Sequence, residues 1–425
     1  MTTFAREENT MAKLKAFKAV RPTRDKAHLV ASRPYYTYKP NILSAKLEEN
    51  PFTFIHIINP EFNMSEEVKT EPNSPQRFEN VKRAYQEFCD RGVLEKDQEE
   101  ALYVYQQTKN GNEYLGVIAG ASVEEYNQGR IKKHEATLTS REEMFTNYLD
   151  IVGFNAEPVL LSHRKSDTID DLLEIICAER AEYEFTTSDS VKHELWIVRS
   201  ILKEKLIKAY EEIEATYIAD GHHRCASSAR LSDLMNGRKN NTSLDKSYNS
   251  FLGFFIDESR LNILEFNRVI KTMNGLSEAE ILAQFSKKFE VSPLDGAVSP
   301  NKRHDIHCCI LGNWYKLTCK PEIINEEDAV ACIDAEILTQ EILSPIFGIE
   351  DLKTDNNISF ISGEEGHLGI EQEIHKQRYK IGFALYPVSM QEIKRVADNN
   401  RIMPPKSTWV EPKLRSGLTI YTIDE

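Results

Sequence analysis

The sequence predicts an α+β protein of mixed sheets with helices, and two observations carry that prediction. Short runs rich in β-branched and aromatic residues alternate irregularly with stretches of helical period along the whole chain. Several of those runs are joined in pairs by Asn- and Gly-containing turns, the signature of antiparallel hairpins. A repeat of roughly 20 to 50 residues is absent, and no heptad run points to a coiled coil.

The elements follow in order. The polar stretch MTTFAREENT is expected to fray, and better patterning begins at Met11. The apolar run Phe52 to Ile58, closed by Asn59-Pro60, predicts a buried strand, and residues 64 to 76 an exposed loop. Phe78, Val81, Tyr85 and Phe88 predict a helix from Arg77 to Arg91 stopped at Gly92. Ala101 to Thr108 and Tyr114 to Ala121 flank Asn110-Gly111, a pair that tolerates the positive φ angles of a hairpin turn. A helix near 140 to 152 and a strand from Glu157 to Ser162 come next. A long helical region then runs through Ala215, read from the stripe of Leu195, Val198, Leu202, Leu206 and Ile213.

Asn236 to Asn249 is poor in apolar residues and predicts a mobile loop or domain linker. Beyond it the pattern predicts a strand at Phe251 to Ile256 and a hairpin of Ile306 to Ile310 with Trp314 to Cys319. A helix from Asp334 to Phe347, a strand from Lys380 to Tyr386, a helix from Met390 to Asp398 and a last strand from Gly417 to Ile423 complete the chain. Cys308 and Cys309 should sit on opposite faces of their strand, and Gly363 to Gly369 reads as a turn without the spacing of a P-loop.

At 425 residues the chain is too long for one ordinary core. Its net charge of −14 argues against a nucleic-acid surface. Runs of roughly 18 apolar residues are absent, as are the basic and apolar regions of a signal peptide, so no membrane partner and a cytoplasmic location are expected. The seven cysteines show no C-x-x-C spacing and suggest neither a disulfide framework nor a zinc ribbon.

The sharpest local signal is Thr216-Tyr217-Ile218-Ala219-Asp220-Gly221-His222-His223-Arg224, running into the small-residue helix Cys225-Ala226-Ser227-Ser228-Ala229. A strand that turns at Asp-Gly into a helix presents a helix start, where the dipole favours an anion. Gly221 lets backbone approach a ligand, Arg224 has the fork suited to phosphate oxygens, and His222 and His223 add donors. Asp220 is a candidate for holding a metal ion or orienting a hydroxyl. The plain alternative is a common Asp-Gly turn with one histidine packed inward. A transition-metal site at Asp220, His222 and His223 is disfavoured because adjacent side chains diverge. Lys406, Lys413 and Arg415, set among prolines, offer a phosphate or acidic-substrate pocket, the plainer reading being a basic surface loop.

Asp220-Gly221-His222-His223-Arg224 resembles the D-G-x-H-R signature of the ParB and sulfiredoxin-like nucleotide-binding superfamily, whose members include free-serine kinases using ADP or ATP. Lys133-His134-Glu135 fits that superfamily's His-Glu feature. The whole chain is also similar to a widespread bacterial and archaeal family of unknown function related to those kinases. That likeness is carried by Arg33-Pro34-Tyr35, Ala101 to Tyr105, Ile131 to Glu135, the Asp-Gly-His-His-Arg segment, Met403 to Thr408, Pro412-Lys413-Leu414 and Ser416-Gly417-Leu418. The chain departs from its relatives at Tyr36, where they tend to have Asp, and in a longer interval between Glu135 and Asp220.

The resemblance implies a nucleotide-dependent phosphotransferase using ATP or ADP with Mg²⁺ on a small-molecule hydroxyl, such as that of a free amino acid. It implies Glu135 as proton acceptor, and the chemistry of phosphoryl transfer makes Asp220 the candidate catalytic residue and metal ligand. Gly221, His222, His223 and Arg224 are implied to grip the nucleotide. The alternatives are a non-catalytic nucleotide-binding regulator or scaffold, and a nucleotide hydrolase. The implied organisation is an α+β region over 1–130, a ParB and sulfiredoxin-like core over 131–235 and an α+β domain over 250–425.

Overall fold

The computed structural model describes residues 12–239 and 243–423, so the extension expected to fray lies outside the described residues. The chain is a mixed α+β protein of two compact units. The first joins residues up to Lys132 with Thr137–Leu261 and the segment from Pro412, while the second joins Lys133–Ala136 with Asn262–Glu411. The positions 235 and 250 both fall inside the first unit.

The first unit is organised by one nine-stranded sheet: β1 (Leu14–Lys15), β2 (Leu102–Lys109), β3 (Asn112–Ser122), β4 (Ile131–Lys132), β5 (Val159–His163), β6 (Tyr183–Thr186), β7 (Lys192–Val198), β8 (Thr216–Asp220) and β9 (Ser250–Asp257). Its order is β4-β8-β5-β9-β3-β2-β7-β6, with β1 also on β3. The pairs β8–β4 and β9–β5 are parallel and the rest antiparallel. The segment 236–249 does not separate units because β9, on its far side, is bound between β3 and β5. Its described end is tied back by Asn249, whose amide oxygen accepts from Ser232 and Asn236 on the preceding helix.

The helices of this unit include α1 (Pro40–Glu49), α2 (Pro75–Asp90), α3 (Thr139–Val152), α4 (Asp167–Cys177), α5 (Ser200–Tyr210) and α6 (His222–Lys239). Ser74 caps α2 by accepting from the Arg77 amide at 3.3 Å, and Ser166 caps α4 from Ile169. Two expectations fail here. Phe52 to Ile58 ends in a helical turn, Ile55–Ile58, rather than a strand; Phe54, Ile55 and Ile57 are fully buried, and a short apolar run buried all round has no period to distinguish the two forms. The long helical region is broken, because Leu195 and Val198 lie on β7, hydrogen-bonded to β2 on one side and β6 on the other. Only Leu202 and Leu206 of that stripe belong to a helix, α5.

The second unit holds a seven-stranded antiparallel sheet of β10 (Asn262–Ile270), β11 (Phe289–Leu294), β12 (Asp305–Ile310), β13 (Asn313–Cys319), β14 (Ile358–Ser362), β15 (Ile381–Ala384) and β16 (Thr408–Glu411). The hairpin about Leu311-Gly312 and the helix Met390–Asp398 form as expected, the latter with a Ser389–Glu392 capping box. The expected helix from Asp334 to Phe347 is continuous but passes through a π turn at Thr339–Leu343. Cys308 and Cys309 are both fully buried and pack into different clusters on opposite faces of β12. No described helix is long and apolar enough to cross a membrane.

Arg268 on β10 is fully buried, with its guanidinium 5.6 Å from the centre of the Phe360 ring. Nη1 donates to the Phe266 carbonyl, while Nε and Nη2 have no partner among the described residues. Burial pulls its pKa down to about 9, which leaves it cationic at neutral pH. Removing a buried, uncompensated charge relieves its desolvation cost. Arg268→Met is therefore expected to stabilise the protein by about 1–3 kcal/mol, read as a higher thermal midpoint at pH 7. A lower midpoint would show that the guanidinium is net stabilising.

Candidate functional site

The Asp-Gly-His-His-Arg segment sits where β8 leaves the core. Thr216 to Ala219 are buried, which fixes the strand, and the chain reaches the surface at Asp220. There the register against β5 slips: Ile218 faces Leu161 and Asp220 faces Leu160, a bulge of the kind that re-aims a side chain. Gly221 follows with φ of 104°, and its carbonyl accepts from the amides of Arg224 and Cys225 at 2.9 and 3.1 Å, which opens α6. A Cβ at 221 would lie 2.9 Å from Nε and Nη2 of Arg224, so only glycine satisfies both the backbone and the guanidinium.

Arg224 folds back beneath this turn. Its Nη1 pairs with the Glu157 carboxylate and donates to the Pro158 carbonyl at 3.0 Å and the Glu157 carbonyl at 3.3 Å. Its Nη2 lies 3.9 Å from Asp220 Oδ2, and Lys413 Nζ lies 3.4 Å from the same oxygen. Glu157, Arg224, Asp220 and Lys413 thus form a run of alternating charge, half-buried rather than sealed in hydrocarbon. His222 is buried at the helix start and His223 half-buried beside it.

The electrostatics separate the two carboxylates. Burial opposes ionisation of Asp220, but Lys413, Arg224 and His222 outweigh it and hold its carboxyl below the usual range. Glu157 is pushed up, by burial first and by Asp220 second, against the pull of Arg224. Asp220 therefore supplies an ionised hard oxygen donor. Among the described residues no three His, Cys, Asp or Glu side chains converge as a metal cage. One carboxylate suits Mg²⁺ of the kind that takes its remaining ligands from phosphate and water.

Lys413 reaches this place on a strap that returns to the first unit. Ser416 and Ser32 exchange backbone hydrogen bonds of 2.8 and 3.2 Å, and the Ser416 hydroxyl donates to Glu157 Oε2 at 3.4 Å. Gly417 then turns with φ of 86° against the buried Phe54 ring. Lys413 and Arg415 are therefore fixed by ion pairs with Asp220 and Asp189, not carried on a loose basic loop. Lys406, by contrast, belongs to the second unit, where it lies over the Phe266 ring.

Sequence reading singled out Asp220 to Arg224 and passed over Glu157, which pairs with Arg224 from 67 residues before it and stands in no motif. Its one signal is a lone acidic residue entering a predicted strand. Glu135, expected beside the loop, falls in the short segment that clusters with the second unit, whereas Asp220 to Arg224 belong to the first. Its neighbour His134 is buried there, its carbonyl accepting from the Met403 amide at 2.8 Å.

Among solved structures the chain is similar to SbnI with C-terminal truncation from Staphylococcus aureus, at 11% identity over 72% of this chain and 87% of that one, with a TM-score of 0.39. It is similar to a free serine kinase in complex with AMP at 12% identity over 73% and 93%, with a TM-score of 0.35. A conserved hypothetical protein from Pyrococcus furiosus shares 11% identity over 72% and 95%, with a TM-score of 0.35. A search of the curated proteins finds no match. The model of one family matches residues 14–336, most of the chain, and by that match the protein belongs to the family described as protein of unknown function, DUF1015.

Proposed function

We propose that the first unit binds the phosphates of ATP or ADP at the Asp220–Arg224 turn, and that the protein is a nucleotide-dependent phosphotransferase acting on a small-molecule hydroxyl. The observation that supports this best is the approach of both Arg224 and Lys413 to Asp220 Oδ2, at 3.9 and 3.4 Å, at the start of the 18-residue helix α6. Phosphoryl transfer needs cationic donors for charge on the phosphoryl oxygens, and a planar fork and a compact ammonium supply complementary ones. The helix dipole adds its positive end at the same point.

In this reading Glu157 pins the guanidinium, and Gly221, His222 and His223 line the approach to the phosphates. Asp220 would hold Mg²⁺, whose chemistry is to neutralise charge between phosphate oxygens. Glu135 is proposed as the proton acceptor on the resemblance of Lys133-His134-Glu135 alone. The test is calorimetric titration with ATP and ADP in the presence of Mg²⁺, followed by mass spectrometry of a metabolite mixture incubated with the protein and nucleotide. Saturable binding and a phosphorylated product are expected; Glu135→Gln should lower turnover and leave binding intact. Failure to bind either nucleotide would overturn the proposal, and binding without any product would leave a nucleotide-binding regulator.

A further inference from the structure

The first unit carries a second concentration of positive charge that the nucleotide reading does not use. Arg415 Nη2 donates to Asp189 at 2.7 and 3.0 Å and to the Thr187 hydroxyl at 3.2 Å. Arg33 Nη1 reaches the same carboxylate at 3.7 Å. Lys46, on α1, and Arg33 both lie over the Tyr38 ring, at 5.8 and 5.6 Å. The backing is polar: Tyr105 and His193 join at 2.8 Å, and His193 meets Thr187 at 3.2 Å. The Ser32–Ser416 pairing holds Arg33 and Arg415 side by side, so their proximity is built into the backbone.

Charge within this cluster does not balance. Arg33 and Arg415 share one carboxylate, Asp189, and Lys46 lies over the same Tyr38 ring as Arg33, with Glu49 exposed one turn beyond Lys46. This excess of positive charge stands in a chain whose net charge is −14. Arg415 is buried, yet its Nε has no partner among the described residues, which leaves one desolvated donor unsatisfied there. Burial and the two arginines together pull the Lys46 pKa down, so the ammonium lacks sufficient compensation. Two guanidinium forks and one ammonium suit a tetrahedral dianion better than a single carboxylate, because a phosphate monoester brings close to two negative charges and several acceptor oxygens.

We propose that Arg33, Lys46 and Arg415 form an oxyanion site distinct from the Asp220–Arg224 turn, and that it takes the phosphate group of a small phosphorylated molecule. Asp189 occupies Arg415 when the site is empty and is the group the phosphate competes with. Two sources of that phosphate are open to test: a separate phosphomonoester, or the terminal phosphate of the nucleotide itself.

The full-length protein is titrated at low salt with inorganic phosphate and with glycerol 3-phosphate. Saturable binding is expected, weakened roughly tenfold or more by Arg33→Ala and by Lys46→Ala, both at partly exposed positions whose folding is checked by thermal melting. Asp189→Asn should tighten binding, an effect that a purely structural Arg415–Asp189 pair would not produce. The losses caused by Arg33→Ala and by Lys46→Ala should persist in an Arg224→Ala background, which separates this site from the proposed nucleotide site. Glycerol 3-phosphate that binds alongside saturating ADP identifies a separate phosphomonoester, and competition identifies the nucleotide's own phosphate. Absence of saturable binding, insensitivity to Arg33→Ala and Lys46→Ala, or unchanged or weaker binding in Asp189→Asn would overturn the site.

Discussion

Replacing Arg224 with alanine is expected to lower nucleotide affinity by about 10²- to 10³-fold, the consequence of truncating one member of a partly desolvated, hydrogen-bonded charge pair. The loss comes from both sides. The guanidinium fork that would meet the phosphate is gone, and Glu157 and Asp220 are left with Lys413 as their nearest cation. The turn changes from balanced to acidic, which repels the phosphate it held, and Glu157, already pushed up by burial, moves further up. Arg224→Lys should recover part of the affinity, because charge returns without the two-pronged geometry. Titration with Mg²⁺-ADP reads the effect, with circular dichroism confirming the fold. Wild-type affinity in a folded Arg224→Ala protein would remove this turn from the nucleotide site.

Gly417→Ala is expected to destabilise the protein by about 2–4 kcal/mol, summing a left-handed backbone penalty with overpacking. At φ of 86° the added Cβ would meet Phe54 Cδ2, Cγ and Cβ at 2.6, 2.7 and 2.9 Å. Phe54 is fully buried and packs edge-on to Phe154, so its ring has little room to retreat. Relief must come from the strap, and moving the strap displaces Arg415 and Ser416 together. A lower thermal midpoint accompanied by weaker nucleotide and phosphate binding is the expected pair of results. An unchanged midpoint would show that the strap bends away without cost.

Much of this was legible in the sequence, for reasons that differ from element to element. The hairpin at Asn110-Gly111 and the helix ending before Gly92 were readable because their turn chemistry is local. The helical turn at Ile55–Ile58 and strand β7 were not, because burial on every side erases period and because Leu195 and Val198 continue a helical spacing by coincidence. At the site, Asp220 to Arg224 announced themselves by adjacency. Glu157 and Asp189 did not: each acquires its role from a partner 67 or 226 residues away, and only pairing across the fold brings them in.

The order in which these parts leave the ribosome has a consequence of its own. The strap begins at Pro412, whereas the rest of the first unit ends at Leu261, with most of the second unit synthesised between them. At typical rates of translation that interval is roughly 10–30 s, during which a nascent chain carries Asp220 without Lys413 and Asp189 without Arg415. Until elongation reaches the strap, Glu157 and Asp220 share Arg224 as their one paired cation and stand net negative, whereas Asp189 already has Arg33 beside it, so the two places gain their last cation from one late segment but start from different charge.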